Sequence, residues 1–154
     1  ILRFGKPTES AADLADLDQF GGGSYLRLED WQRWQRQALP PEAQTWMRNY
    51  LQRVNNALVR VGRPFGYRVQ QAIEQYVANY PGQGTSAHTT AFADQLEQKI
   101  IPKLIGLDPT MDESHATYTE LEGVIQELDD PALLTAFDAA RDKPFFQWSG
   151  VDRG

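Results

Sequence analysis

Arg60, Arg63 and Arg68 set three positive charges within nine residues, with no acidic residue among them. Arg60 precedes and Arg63 and Arg68 lie within the run "GRPFGYRV" at 62–69, where one helix pattern stops and another starts. Gly62, Pro64 and Gly66 fix a tight connection, which puts Arg68 in the first turn of the following helix. That is an unfavourable place for a cation. The first N–H groups of a helix lack intrahelical acceptors, and the helix dipole is positive there. Two readings resolve the conflict. Free N–H groups and a guanidinium fork can receive an incoming phosphate, or Arg68 can pair with a carboxylate elsewhere in an acidic chain. Spacing alone leaves both open.

Other chemistry-bearing residues are sparse. His88 and His115 have no second ligand at metal spacing, so each reads as a surface or turn histidine. Asp112-Glu113 resembles the acidic pair that ends an ATPase strand, but no apolar strand precedes it. Asp129-Asp130 reads as helix capping. Ser149-Gly150 lacks the Gly-x-Ser-x-Gly elbow of a hydrolase nucleophile. Trp31, Trp34 and Trp46 could stack bases, but their positions on apolar helical faces suit core packing. No catalytic residue and no metal ligand set is identified.

The elements that position these residues are helices. Ala43, Trp46, Met47, Tyr50, Leu51, Val54, Ala57, Leu58 and Val61 form one apolar stripe, introduced by Pro40-Pro41-Glu42 and stopped by Gly62 and Pro64. A helix from about Arg68 carries Val69, Ala72, Ile73, Tyr76, Val77 and Tyr80. Another spans about 86–105 through Phe92, Leu96, Ile100 and Leu104, with a kink expected at Pro102. Tyr118, Leu121, Ile125 and Leu128 mark a further helix. Asp130-Pro131 opens the last one, carrying Leu133, Leu134, Phe137 and Ala140. Upstream, residues 28–38 read as a helix and Ser24–Leu28 as a short extended piece. Residues 1–24, ending in "GGGS", read as a flexible lead-in or linker from an absent upstream domain. The expected fold is therefore all-α, an irregular bundle of five or six helices over 25–154. "KPFFQW" at 143–148 is read either as an apolar tail pinned to that bundle or as a contact to a neighbour.

Composition narrows the partners. Hydrophobic residues make up 41% of 154, enough for a core, and no apolar run approaches the roughly 20 residues that span a bilayer. Residues 1–70 hold ten Lys/Arg against seven Asp/Glu, whereas 71–154 hold five against fourteen. So acidic a second half argues against direct DNA binding. The absence of cysteine fits a cytoplasmic location. The start, Ile1-Leu2-Arg3-Phe4, is neither a signal peptide nor an initiator methionine, as expected of a fragment of a longer protein.

The run "FGYRVQQAIEQYVAN" (65–79) followed by "AFADQLEQKIIPKLIGL" (91–107) resembles the C-terminal region of McrB/MoxR-like AAA+ ATPases of modification-dependent restriction and phage defence. The matching positions in the second run are Asp94, Gln98, Lys99, Ile100, Pro102, Lys103, Leu104 and Gly106. "FGGGSYLRLEDWQRW" (20–34) fits more loosely. The resemblance implies an AAA+ lid-like bundle that follows a nucleotide-binding core. It also implies a sensor-2 role for Arg68, with Arg63 and Tyr67 beside it at the nucleotide. ATP or GTP with Mg would then belong to the parent protein. The implied partners are its own upstream core, neighbouring subunits of a ring, and a nuclease or other effector. The chain itself has no Gly-Lys-Ser/Thr phosphate loop, so it is not expected to hydrolyse nucleotide alone. The rival expectation is an independent helical module that binds a protein through the 143–148 aromatics and has no nucleotide role.

Overall fold

The computed structural model describes residues 39–82 and 84–154. The readings for 1–24, Ser24–Leu28 and 28–38, with Trp31 and Trp34, lie outside the described residues. Within them the fold is all-α: five α-helices and no strand. None of these helices is long and apolar enough to cross a membrane.

Helix α1 spans Pro41–Arg60, with Pro41 in the first turn, Glu42 beside the positive end of the dipole and Arg60 beside the negative end. It buries Met47, Leu51, Val54, Ala57 and Leu58, while Trp46 and Tyr50 are half-buried at the edge of that stripe. The helix closes on Gly62 at φ 72°, with the Gly62 N–H on Val59 O (3.0 Å) and the Arg63 N–H on Leu58 O (2.9 Å). This pair of bonds is a Schellman closure, which needs a left-handed residue where Gly62 stands.

Helix α2 (Tyr67–Ala78) buries Ile73 and Val77 and packs on α3 (Thr85–Gln95). Beyond α3 the ladder changes register, to a π-turn over Leu96–Ile100 and then a 3-10 turn over Ile101–Leu104. Pro102 explains the change. It has no N–H to give to the carbonyl four residues back, and its ring pushes that carbonyl away. The expected kink is thus taken up as one loose turn and one tight turn. Leu96, Ile100, Ile101 and Leu104 all remain buried through it.

Helix α4 (Asp112–Glu127) starts six residues before Tyr118, the first apolar position that marked it in the sequence. Asp112 and Glu113 occupy its first turn, where their charge complements the dipole. It packs most extensively against α1. The Thr117 hydroxyl lies 2.9 Å from Ala57 O and 2.8 Å from Glu113 O, joining the two helices. Helix α5 (Pro131–Arg141) begins as expected, with Asp130 Oδ1 accepting the Leu133 N–H at 3.0 Å.

The C-terminal segment packs back onto this bundle. Phe146 is buried, stacks on Tyr118 at 5.5 Å between ring centroids and meets Phe137 at 5.6 Å. Its N–H donates to Leu107 O (3.0 Å) and its carbonyl accepts from Gly106 N–H (2.9 Å). Farther on, Arg153 reaches both Glu97 (3.2 Å) and Asp130 (3.1 Å). Within 143–148, Phe146 belongs to the core, whereas Phe145 is 58% exposed.

Candidate functional site

The connection between α1 and α2 separates the three arginines into different environments. Arg60 is exposed in the last turn of α1, where a cation complements the dipole. Arg63 is half-buried, and its Nη1 donates to the carbonyls of Lys103 (2.8 Å) and Ile105 (2.7 Å). The Lys103 carbonyl lies at the C-terminal, negative end of the 3-10 turn, and Ile105 is the extended residue that follows it. Arg63 thus sits at two helical C-termini and ties the α1–α2 connection to the segment after α3. Its charge also reaches the buried Tyr118 phenol, lowering a pKa that burial and the Asp108 carboxylate push up.

The connection is fixed from its other side by Phe65. That ring is buried, and its N–H donates to Asn55 Oδ1 at 3.0 Å. Gly66 then caps α2 without a side-chain hydrogen bond, so the first-turn N–H groups receive no side-chain oxygen. Tyr67 and Arg68 are the first two helical residues. Tyr67 is 72% exposed, and Arg68 is exposed as well. Among the described residues, no carboxylate lies within 4.0 Å of Arg68 and no hydrogen bond engages its guanidinium; the ion pairs use Arg48, Arg53, Arg141 and Arg153.

The sequence-derived site residues therefore divide. Tyr67 and Arg68 project from an uncapped helix start, whereas Arg63 is spent on main-chain carbonyls in this conformation. An exposed guanidinium beside free N–H groups can take an oxyanion bidentately without first breaking an internal ion pair. Among the described residues it pairs with no carboxylate, and this arrangement can bind and orient an anion. His88 and His115 join no cluster of metal-ligating side chains among the described residues.

Sequence reasoning did not single out a pocket of about 300 Å³ that lies against the same connection, where Asn55 and Phe65 are among its walls. Arg63, Tyr67 and Arg68 do not line it. The signal available in the sequence was the amide spacing Gln52, Asn55, Asn56 on the polar face of α1. Such spacing reads as ordinary solvated surface until Phe65 is placed beside it.

The family model described as a domain of unknown function (DUF8727) matches residues 15–143, and the chain belongs to that family. No curated protein and no solved structure gives a significant match to it.

Proposed function

We propose that this DUF8727 chain acts as the helical lid of a McrB/MoxR-like AAA+ ATPase, and that Arg68 senses the nucleotide's terminal phosphates. One observation carries the reading: Arg68 is exposed and, among the described residues, unpaired, at a helix start whose cap offers no side-chain hydrogen bond. An arginine kept for solubility has no need of that address. An arginine kept for an incoming phosphate gains the dipole and the free N–H groups as well. Tyr67 lies beside it, and Arg63 holds the connection in place by its two carbonyl bonds.

In this reading the core that binds ATP or GTP with Mg belongs to the parent protein. The lid supplies a phosphate contact and surfaces for its own core and for neighbouring subunits of a ring. Work in the cytoplasm with a nuclease or other effector, in DNA restriction or phage defence, is part of the same proposal. The test is nucleotide hydrolysis by the full-length protein carrying Arg68→Ala, Arg68→Lys or Arg60→Ala, read beside thermal melting. Arg68→Ala is expected to lower hydrolysis clearly with an unchanged melt. Arg68→Lys should rescue it poorly, because an ammonium lacks the planar fork. Unchanged hydrolysis in Arg68→Ala defeats the proposal.

A second reading is favoured by Phe145, 58% exposed next to the buried Phe146. There the chain is a free-standing helical module that binds a protein through this aromatic and has no nucleotide role. A phosphate loop in the reading frame upstream of Ile1 supports the lid; its absence supports the module.

A further inference from the structure

We propose that residues 143–154 form a latched strap, a shutter over the aromatic slot between Tyr118 and Phe137 that leaves the bundle as one unit while the helices stay folded. The segment holds no helix or strand, and its backbone bonds run to other elements. Besides the pair that joins Phe146 to residues 106–107, the Gln147 N–H donates to Ala140 O (3.3 Å) and the Val151 N–H to Glu97 Oε1 (3.3 Å). None of these belongs to a helix ladder. Gly106 and Leu107 follow the 3-10 turn, and Ala140 lies in the last turn of α5, where carbonyls lack intrahelical donors. Lifting the strap therefore breaks no bond within a helix.

The strap has two anchors of different physical kinds. The near one is apolar: Phe146, buried between Tyr118 and Phe137. The far one is ionic. A single nitrogen, Arg153 Nη2, lies 3.2 Å from Glu97 Oε2 and 3.1 Å from Asp130 Oδ2. Those carboxylates come from separate elements, the π-turn and the N-cap of α5, and their side chains are only 23% and 15% exposed. With the guanidinium gone, two largely buried carboxylates face each other with no cation between them. Breaking this bridge therefore costs more than breaking an ordinary surface pair.

Ordering each residue of the strap costs backbone entropy, and few contacts offset it. Among the described residues, only Gln147 and Val151 donate backbone bonds to the bundle between the two anchors, and Trp148 and Val151 pack half-buried on the core. The strap thus opens at a free energy below that of global unfolding, as local units do, and the Arg153 bridge sets how far below. Opening uncovers the rings of Tyr118 and Phe137. It also frees the Gly106 N–H and Leu107 O, beside the Ile105 carbonyl that Arg63 holds. The latch therefore governs both access to the slot and the rigidity of the segment that anchors Arg63. It is independent of the lid reading, because neither Arg68 nor a nucleotide takes part.

The experiment is backbone amide hydrogen exchange, read by NMR on the 15N-labelled 154-residue chain and on its Arg153→Gln and Arg153→Lys variants. The N–H groups of Gly106, Phe146, Gln147 and Val151 report the strap, because each bonds across its contact with the bundle. Those of Val54 and Leu121, inside α1 and α4, report the helices. The four strap amides are expected to share one protection factor, roughly 10-fold or more below that of the helix amides. Arg153→Gln should lower it by one common factor of roughly 3- to 30-fold at all four, and Arg153→Lys by less. Urea below the unfolding midpoint should speed the helix amides more steeply than the strap amides, since strap opening exposes less surface. Strap and helix amides with one protection factor and one urea slope would show that the strap opens only with the whole chain. A response to Arg153→Gln at Val151 alone would mean fraying of the terminus, and no response at all would mean that Arg153 is not the latch; each of these results overturns the proposal.

Discussion

Replacing Arg63 with alanine removes a guanidinium whose Nη1 bonds to two carbonyls, Lys103 O at 2.8 Å and Ile105 O at 2.7 Å. A hydrogen bond involving a charged group contributes about 1.5–3 kcal/mol. Here both bonds share one nitrogen of a half-buried side chain, and water can reach the freed Ile105 carbonyl, which is exposed. The two bonds together are therefore worth about as much as one full charged bond, roughly 1.5–3 kcal/mol. For a chain of this size each kcal/mol lowers the midpoint by roughly 2–4 °C, so a drop of roughly 3–12 °C is expected. The assay is thermal and urea unfolding followed by far-UV circular dichroism. Arg68→Ala is the internal control, because an exposed residue without internal partners should change stability by less than about 0.5 kcal/mol. If Arg63→Ala is neutral while Arg68→Ala destabilises by more than about 1 kcal/mol, the division of labour between the two arginines is refuted.

Three further outcomes are expected. Phe146→Ala empties a site packed by Tyr118 and Phe137 and should cost about 3–5 kcal/mol in urea unfolding; a loss below about 1 kcal/mol would show that the C-terminal strap is not part of the core. Gly62→Ala should cost about 1–2 kcal/mol from backbone strain alone, since φ is 72° and no atom lies within 4 Å of the added Cβ. Bonds from Arg53 and Tyr50 hold the Glu127 carboxyl below its ordinary value, so its contribution is present above about pH 4.5 and is lost as pH falls through the lower, folded value. Because this pair is largely exposed, Glu127→Gln should flatten the acid limb of stability against pH by no more than about 1 kcal/mol.

Helix α1 was legible in the sequence because large apolar side chains mark every turn of it. Helix α5 was legible because Asp130-Pro131 states its cap and first residue in order. The start of α4 was not. Its first buried positions, Ser114 and Thr117, are small polar residues that hydrophobic periodicity passes over. Thr117 is tolerated in the core because the Ala57 and Glu113 carbonyls receive its hydroxyl. Pro102 announced a break, but the exchange of one π-turn and one 3-10 turn depends on which carbonyls can move. At the candidate site, the arginine cluster and its helix start could be read directly. The destination of Arg63 could not, because its partners are main-chain carbonyls, which carry no side-chain signature. The adjacent phenylalanines pose the same difficulty: Phe145 and Phe146 are chemically alike, and only the bonds of Phe146 to Gly106 and Leu107 decide which one turns inward.

The most direct measurement of the phosphate role is a structure of the full-length protein with Mg and a non-hydrolysable nucleoside triphosphate analogue. The expected result is the Arg68 guanidinium within hydrogen-bond reach of a terminal phosphate oxygen, about 2.7–3.2 Å, with Arg63 still on the carbonyls of Lys103 and Ile105. Arg68 left in solvent, or paired with a carboxylate while the nucleotide is bound elsewhere, would contradict it.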